Sequence, residues 1–277
     1  MDANEQPHSW HYGLVALWWA EFNRDADEET AYFRRIIEQF GEPALDLACG
    51  TGRVLLPLLE AGLEVDGCDI SADMLALCAE RAAEAGFAPN LHRQTMHELD
   101  LPRAYRTIYI CDSFGIGGNR AHDAEALRCC WRQLAPGGAL VFNHYLPYND
   151  ADLWGYWLPD SRGALPEDWP ADDPARRRVL PDGDQLELAT RHTSFDPLAQ
   201  HMTLELRARR WRGGELVAEE YGTLLENLYF CQEILMLLAG AGFEDVAVTR
   251  AYSDAPASPD DTKLMFVARK SPDSDGV

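Results

Sequence analysis

From Pro43 onward, short apolar runs alternate with longer stretches of helical periodicity, the pattern of βαβ units built on a mainly parallel sheet. Ala44 to Leu47, Leu63 to Cys68, Leu91 to Gln94, Thr107 to Cys111 and Ala139 to Asn143 read as strands. Helical patterns at Arg53 to Ala61, Ala72 to Ala85 and Ala124 to Leu134 fall between them. Ser71 reads as an N-cap, and Pro136-Gly137-Gly138 is predicted to stop the third of these helices before Ala139 opens a strand. The 277 residues suffice for one large α/β domain with a small appended one, and fall short of two full enzymatic domains.

Ahead of this unit stand an aromatic-rich segment, Trp10 to Phe22, and a predicted helix from about Glu28 to Phe40 that Gly41 ends. Behind it the period changes to two. Gln185 to Phe195, Gln200 to Trp211 and Leu216 to Leu225 alternate apolar and polar residues, separated by Asp182-Gly183, Asp196-Pro197 and Gly213-Gly214 turns, which predicts an antiparallel meander inserted in the α/β unit. A helix near Glu233 to Ala241 and apolar runs at Val246 to Thr249 and Leu264 to Ala268 return to the main sheet. The expected organisation is therefore an N-terminal helical lid segment (1–42), an α/β core (43–145 and 229–270), an inserted antiparallel subdomain (146–228) and a disordered tail (271–277).

Charge narrows the partners. With 24 Lys and Arg against 46 Asp and Glu, the net charge of −22 repels phosphate backbones, so no nucleic acid and no anionic membrane is expected. The start lacks the basic residues of a signal peptide and no apolar stretch approaches a membrane span, which predicts a cytoplasmic protein. The seven cysteines form no Cys-x-x-Cys pair and read as reduced and structural. His8 and His11 are the one close histidine pair and have no third ligand nearby, so no metal is expected.

The stretch Leu45-Asp-Leu-Ala-Cys-Gly-Thr-Gly-Arg53 runs a strand into a glycine-rich turn that opens a helix. Gly50 and Gly52 allow close approach of a ligand, and the helix start offers N–H groups to a carboxylate or phosphate. A dinucleotide pyrophosphate fits poorly, because Leu55 stands where a third glycine belongs and the Asp46 carboxylate would oppose it. Asp46 suits an ammonium group lying beside a carboxylate. Asp69, at the next strand end and nineteen residues after Gly50, can accept both hydroxyls of a ribose. The ligand these residues describe is an amino acid joined to an adenosine.

With those residues in place, the chain resembles the class I S-adenosylmethionine-dependent methyltransferases over about Ala44 to Asn143. Asp46-Leu-Ala48-Cys-Gly50-Thr-Gly52 is similar to their first motif, Asp69-Ile70 to their ribose acid and its neighbour, and Met74 to the apolar residue beside the adenine. Tyr109-Ile-Cys111-Asp-Ser113 and Pro136-Gly-Gly138 resemble the later motifs. The resemblance implies S-adenosyl-L-methionine as cofactor and a Rossmann-like, seven-stranded, mainly parallel sheet with helices on both faces and an antiparallel last hairpin. It also implies adenine contacts from Thr95 and Met96, although Thr95 stands where the family commonly has an acidic residue.

A sulfonium methyl is already electrophilic, so such an enzyme mainly aligns a nucleophile and excludes water, and needs a base only for a protonated acceptor. His144 is the preferred base, with a strand-end imidazole bonded to backbone as its plain alternative. Tyr145 would orient the acceptor or pack as an aromatic, and Asp112 would hold a cationic amine or remain a solvated carboxylate. Trp10, Tyr12, Trp18, Trp19 and Phe22 form either a cover or a core stripe. The meander, with Tyr148, Trp154, Tyr156, Trp157 and Trp169, reads as a substrate wall similar in layout to sugar N,N-dimethyltransferases and glycine/sarcosine-type N-methyltransferases, or equally as a homodimer surface. The expected function is methyl transfer to nitrogen or oxygen of a small molecule. A protein or RNA methyltransferase and a non-catalytic binder are the alternatives.

Overall fold

The computed structural model describes residues 12–148, 154–160 and 165–273. Contacts group the chain into an α/β unit (Asp25–Phe114, Asn119–Asp150, Tyr229–Val277) and an antiparallel unit (Met1–Arg24, Gly115–Gly118, Ala151–Leu228).

In the α/β unit, α2 (Asp27–Phe40) precedes the strands β1 (Ala44–Leu47), β2 (Val65–Asp69), β3 (Leu91–Arg93), β4 (Tyr105–Ile110) and β5 (Leu134–Tyr145), which alternate with α3 (Leu55–Glu60), α4 (Ala72–Glu84) and α5 (Arg120–Gln133). Then α6 (Cys231–Ala241) leads to β10 (Asp245–Arg250) and β11 (Lys263–Arg269). The seven-stranded sheet runs β10-β11-β5-β4-β1-β2-β3, parallel except at β11, which pairs antiparallel with both β5 and β10. This is the predicted Rossmann-like architecture. The central strands β1, β4, β5 and β11 are largely apolar because both faces are covered. Leu140 and Phe142 join a cluster with Leu127, Cys130, Ile234 and Leu238 of α5 and α6, while Ala139 and Val141 face Phe33, Ile37, Leu55 and Cys78 of α2, α3 and α4. Strand order reverses between β1 and β4, the switch point where open α/β sheets bind ligands beyond the strand C-termini.

One predicted boundary is corrected. β5 starts at Leu134, so Pro136-Gly137-Gly138 lies inside the strand instead of ahead of it. Pairing with β4 shifts register between Tyr105 and Thr107, and Gly137 takes φ +74° there. A side chain at Gly138 would lie 2.8 Å from the Arg106 carbonyl oxygen. The glycines therefore serve a bulge and a close backbone approach.

In the antiparallel unit, β6 (Arg178–Val179), β7 (Gln185–Asp196), β8 (His201–Arg212) and β9 (Glu215–Asn227) form a four-stranded sheet in that order. Helix α1 (Gly13–Phe22) packs Leu14 and Val15 against Leu186, Leu204, Leu206 and Leu224, with Trp18, Trp19 and Phe22 beside them. The aromatic stripe is thus packing within this unit, and Trp10 lies outside the described residues. The 1–42 segment divides, since α1 belongs with the antiparallel sheet and α2 with the α/β unit. The arginine-rich β8 is internally paired: Arg209 with Glu187 at 2.6 Å, and Arg210 and Arg212 with Asp184 at 2.7 and 2.8 Å. Among the described residues, no helix is long and apolar enough to cross a membrane.

Candidate active site

Beyond β1 the chain turns sharply. Ala48 and Gly50 take left-handed φ of +70° and +54°, the former a strained value for a residue with a side chain. The turn is internally bonded: Gly52 N–H donates to the Cys49 carbonyl at 2.9 Å, and Arg81 braces it by donating to the Thr51 carbonyl at 2.7 Å. This corrects the expectation of free N–H groups at a helix start. The helix begins only at Leu55, and Gly50 N–H is committed to Asp69 Oδ2 at 2.9 Å.

That commitment defines the cradle. Asp69 also accepts Ser71 N–H at 2.8 Å, and the Ser71 hydroxyl caps α4 by accepting Met74 N–H at 3.1 Å. One carboxylate thereby ties the ends of β1 and β2 together and keeps lone pairs for a diol. Burial raises its pKa, against the three backbone donors Ser71, Gly50 and Ile70 that hold it down. Asp46 is buried too. Burial pushes its carboxyl up to about 7, with the Tyr109 hydroxyl beside it and Asp69 and Arg53 nearby. A carboxyl held half-protonated at neutral pH suits a cationic ligand group, which would restore its charge. Nothing lies within 4 Å of a side chain built at Gly50. These features fit an aminoacyl-nucleoside sulfonium.

Of the other cofactor residues, Met74 is buried in the first turn of α4, and Ile70 is partly buried, its carbonyl accepting from Arg93 at 3.2 Å. Thr95 is already engaged, its hydroxyl donating to Glu98 at 3.0 Å, so it has an acceptor lone pair and no proton to offer. Met96 opens the short turn Met96–Glu98 and packs against the core.

At the ends of β4 and β5 the structure assembles a group that the sequence did not announce. Asp112 sits at φ +55°, with its N–H bonded to Asn143 Oδ1 at 2.8 Å and its carboxylate receiving Asn143 Nδ2 at 2.5 Å, Lys263 Nζ at 3.3 Å and Arg53 at 3.5 Å. Arg53 also reaches Glu29 at 3.0 Å and the Cys111 sulfur at 3.5 Å. Lys263 lies 4.6 Å from the Tyr145 ring and 4.8 Å from the Tyr252 ring, and bonds the Tyr252 hydroxyl at 3.3 Å. Burial works against this ammonium, but Asp112 and Tyr145 outweigh it and raise its pKa. Burial and the Asp112 charge push the Cys111 thiol up, so it stays protonated. Glu29, Cys111 and Asp112 approach closely enough to share a cation, and the Arg53 guanidinium supplies one. Arg53 could have been suspected, since it directly follows Gly52; Glu29, Asn143, Tyr252 and Lys263 carry no local signal.

His144 is corrected. It is 8% exposed, its ring bonds the Phe114 backbone, and it packs edge-on against Phe114 and Tyr229. Burial lowers its pKa to about 4, so the imidazole is neutral and a weak base. It closes the strand end, and its buried Nε2 has no hydrogen-bond partner among the described residues. His144→Phe should therefore keep at least about a third of wild-type turnover, with an unchanged pH profile between pH 6 and 8; a hundredfold loss would restore the catalytic assignment. Tyr145, by contrast, is 56% exposed.

Comparison with known proteins agrees with this geometry. Residues 44–138 match a family model described as a methyltransferase domain. The chain is 26% identical over 248 residues to YqeM of Bacillus subtilis, named as a methyltransferase, covering 88% of this chain and 90% of that one. It is 31% identical over 132 residues to the dTDP-3-amino-3,6-dideoxy-alpha-D-glucopyranose N,N-dimethyltransferase of Streptomyces fradiae, 47% of this chain and about half (49%) of that protein. It shares its fold with the sugar N-methyltransferase KedS8 of a Streptoalloteichus species at a TM-score of 0.67 and 19% identity, covering 98% of this chain and 96% of the other. Turn, ribose acid, sheet order and these relatives lead to one conclusion: residues 44–138 carry a methyltransferase domain, set in a fold shared with S-adenosylmethionine-dependent methyltransferases.

Proposed function

We propose that the protein methylates a small molecule, with nitrogen favoured over oxygen as the acceptor. The observation that carries this is the pairing of a built cofactor cradle (Asp46, Gly50, Asp69) with a carboxylate, Asp112, fixed at the end of β4. When bound, the cofactor supplies an electrophilic methyl group. Asp46 would face its ammonium, Asp69 its ribose hydroxyls, and Ala48, Gly52, Ile70, Met74, Thr95, Met96 and Cys111 its remaining surface. Asp112 would orient the amine of the acceptor, and the exposed Tyr145 ring would border it. A net charge of −22 argues against RNA, and the names of the relatives above support an amine on a sugar-like molecule. A homodimer and a cytoplasmic location complete the reading.

Calorimetry with S-adenosylmethionine tests the cradle. Asp69→Ala removes a charged acceptor of two backbone bonds, each worth about 1.5–3 kcal/mol, and should weaken binding roughly a hundredfold. A Kd within about threefold of wild type would remove the ribose assignment. A screen of amino sugars, hydroxy sugars, peptides and RNA with methyl-labelled cofactor then identifies the acceptor class.

A further inference from the structure

Asp46 and Tyr109 stand directly opposite each other where β1 pairs with β4, so both side chains leave the same face of the sheet, the one that α2 covers. Both are buried, at 2% and 0% exposure, and the Tyr109 ring is held by stacking on Phe33 at 4.5 Å. Its hydroxyl is near enough to Asp46 to favour the ionised carboxylate, but no described residue completes a hydrogen bond with it. A buried hydroxyl left without an acceptor calls for an explanation. The neighbouring carboxyl supplies one. Half-protonated at neutral pH, it becomes a full acceptor only when it gives up its proton.

We infer that Tyr109 is a positioning residue for the amino-acid end of the cofactor, its hydroxyl donating to the Asp46 carboxylate that receives the ligand's ammonium. This rests on the cradle reading above and deepens it. The ammonium ionises Asp46, and the hydroxyl already beside it then completes a charge-assisted bond that the free protein lacks. The other groups facing the pair are Asp69 at the end of β2, Arg53 past the turn, and the thiols of Cys49, Cys68 and Cys111. A bond to Cys78 and burial raise the Cys49 thiol, and burial raises the other two, so all three stay protonated. Asp69 and Arg53 therefore bring the remaining charge, with opposite signs. Tyr109 stays neutral as well, because burial and the Asp46 charge both raise its pKa.

Calorimetry of the full chain with S-adenosylmethionine, run from pH 6 to 8.5 in buffers of different ionisation heat, tests this. Wild type should release about half a proton per ligand at pH 7, because the free Asp46 carboxyl titrates at about 7. Without the hydroxyl that carboxyl keeps its proton more firmly. Tyr109→Phe should therefore bind about tenfold more weakly at pH 7, release closer to one proton, and regain part of the loss by pH 8.5. It should melt no lower than wild type at pH 6, since no bond is lost in the free protein. Tyr105→Phe is the contrast: Tyr105, on the same strand, already donates to Asp66 at 2.8 Å, so this variant should melt lower while keeping affinity and proton release. In Asp46→Asn, adding Tyr109→Phe should change affinity by less than about twofold. A Tyr109→Phe affinity within about twofold of wild type at pH 7, weaker binding with unchanged proton release, or losses that add in the double variant overturns the proposal. Wild type that binds S-adenosylmethionine without releasing protons rejects the Asp46 and Tyr109 pairing alone, whereas wild type that does not bind it rejects the cradle.

Discussion

Asp46→Asn should make the cofactor-free protein more stable at pH 8 while weakening S-adenosylmethionine binding by about 10- to 100-fold. The two effects share one cause. In the fold, burial pushes the Asp46 carboxyl up to about 7 from its ordinary value of 3.8. Between about pH 4 and 7 the native state therefore holds a proton that the unfolded chain has released, so stability falls as pH rises through that window, by up to about 4 kcal/mol in total. Asparagine does not titrate. Its advantage should be absent near pH 4 and reach about 1–3 kcal/mol by pH 8, read from thermal melts across that range. In wild type the cationic cofactor favours the ionised carboxylate, so affinity should strengthen as pH rises towards 7 and binding should release protons, detected by calorimetry in buffers of different ionisation heat. The variant should lose both the proton release and the charge-assisted contact. An Asp46→Asn variant less stable than wild type at pH 8 would show that the buried carboxylate is already compensated.

Gly52→Val should bring the largest loss of stability, about 3–5 kcal/mol, with cofactor binding lost alongside. Gly52 takes φ +81°, a region costly for any side chain, and an added Cβ would lie 2.8 Å from the Cys78 sulfur and 2.9 Å from Leu56 Cγ. Neither neighbour can retreat easily, since both are buried. Gly50→Ala is the contrast. It meets nothing within 4 Å and carries only the backbone strain of φ +54°, so it should unfold within about 1–2 kcal/mol of wild type in urea. Equal losses at the two positions would mean that packing against α4 and α3 is not what Gly52 serves.

The α/β half was legible because its central strands are covered on both faces and read as largely apolar runs, and the meander because its residues alternate. Pro136-Gly137-Gly138 misled because a bulge and a break have the same local composition; only the register with β4 separates them. The burial of His144 was open to reading from period two: with Leu140 and Phe142 facing the core, position 144 follows them. The cofactor turn was legible because its chemistry is contiguous in sequence. The Asp112 group was not, because residues 29, 53, 112, 143, 252 and 263 meet only after the sheet forms.

The antiparallel course of β11 has a practical consequence. Because it runs against β5, its first residue, Lys263, stands level with Tyr145, and its last, Arg269, level with Ala139. A fluorophore or fusion partner joined beyond Arg269 therefore departs from the rim of the sheet opposite Asp112, roughly 20 Å away along the strand. Reporter attachment at that end should leave turnover intact, whereas circular permutation between Arg250 and Lys263 would cut into the bracket that steadies the reacting end.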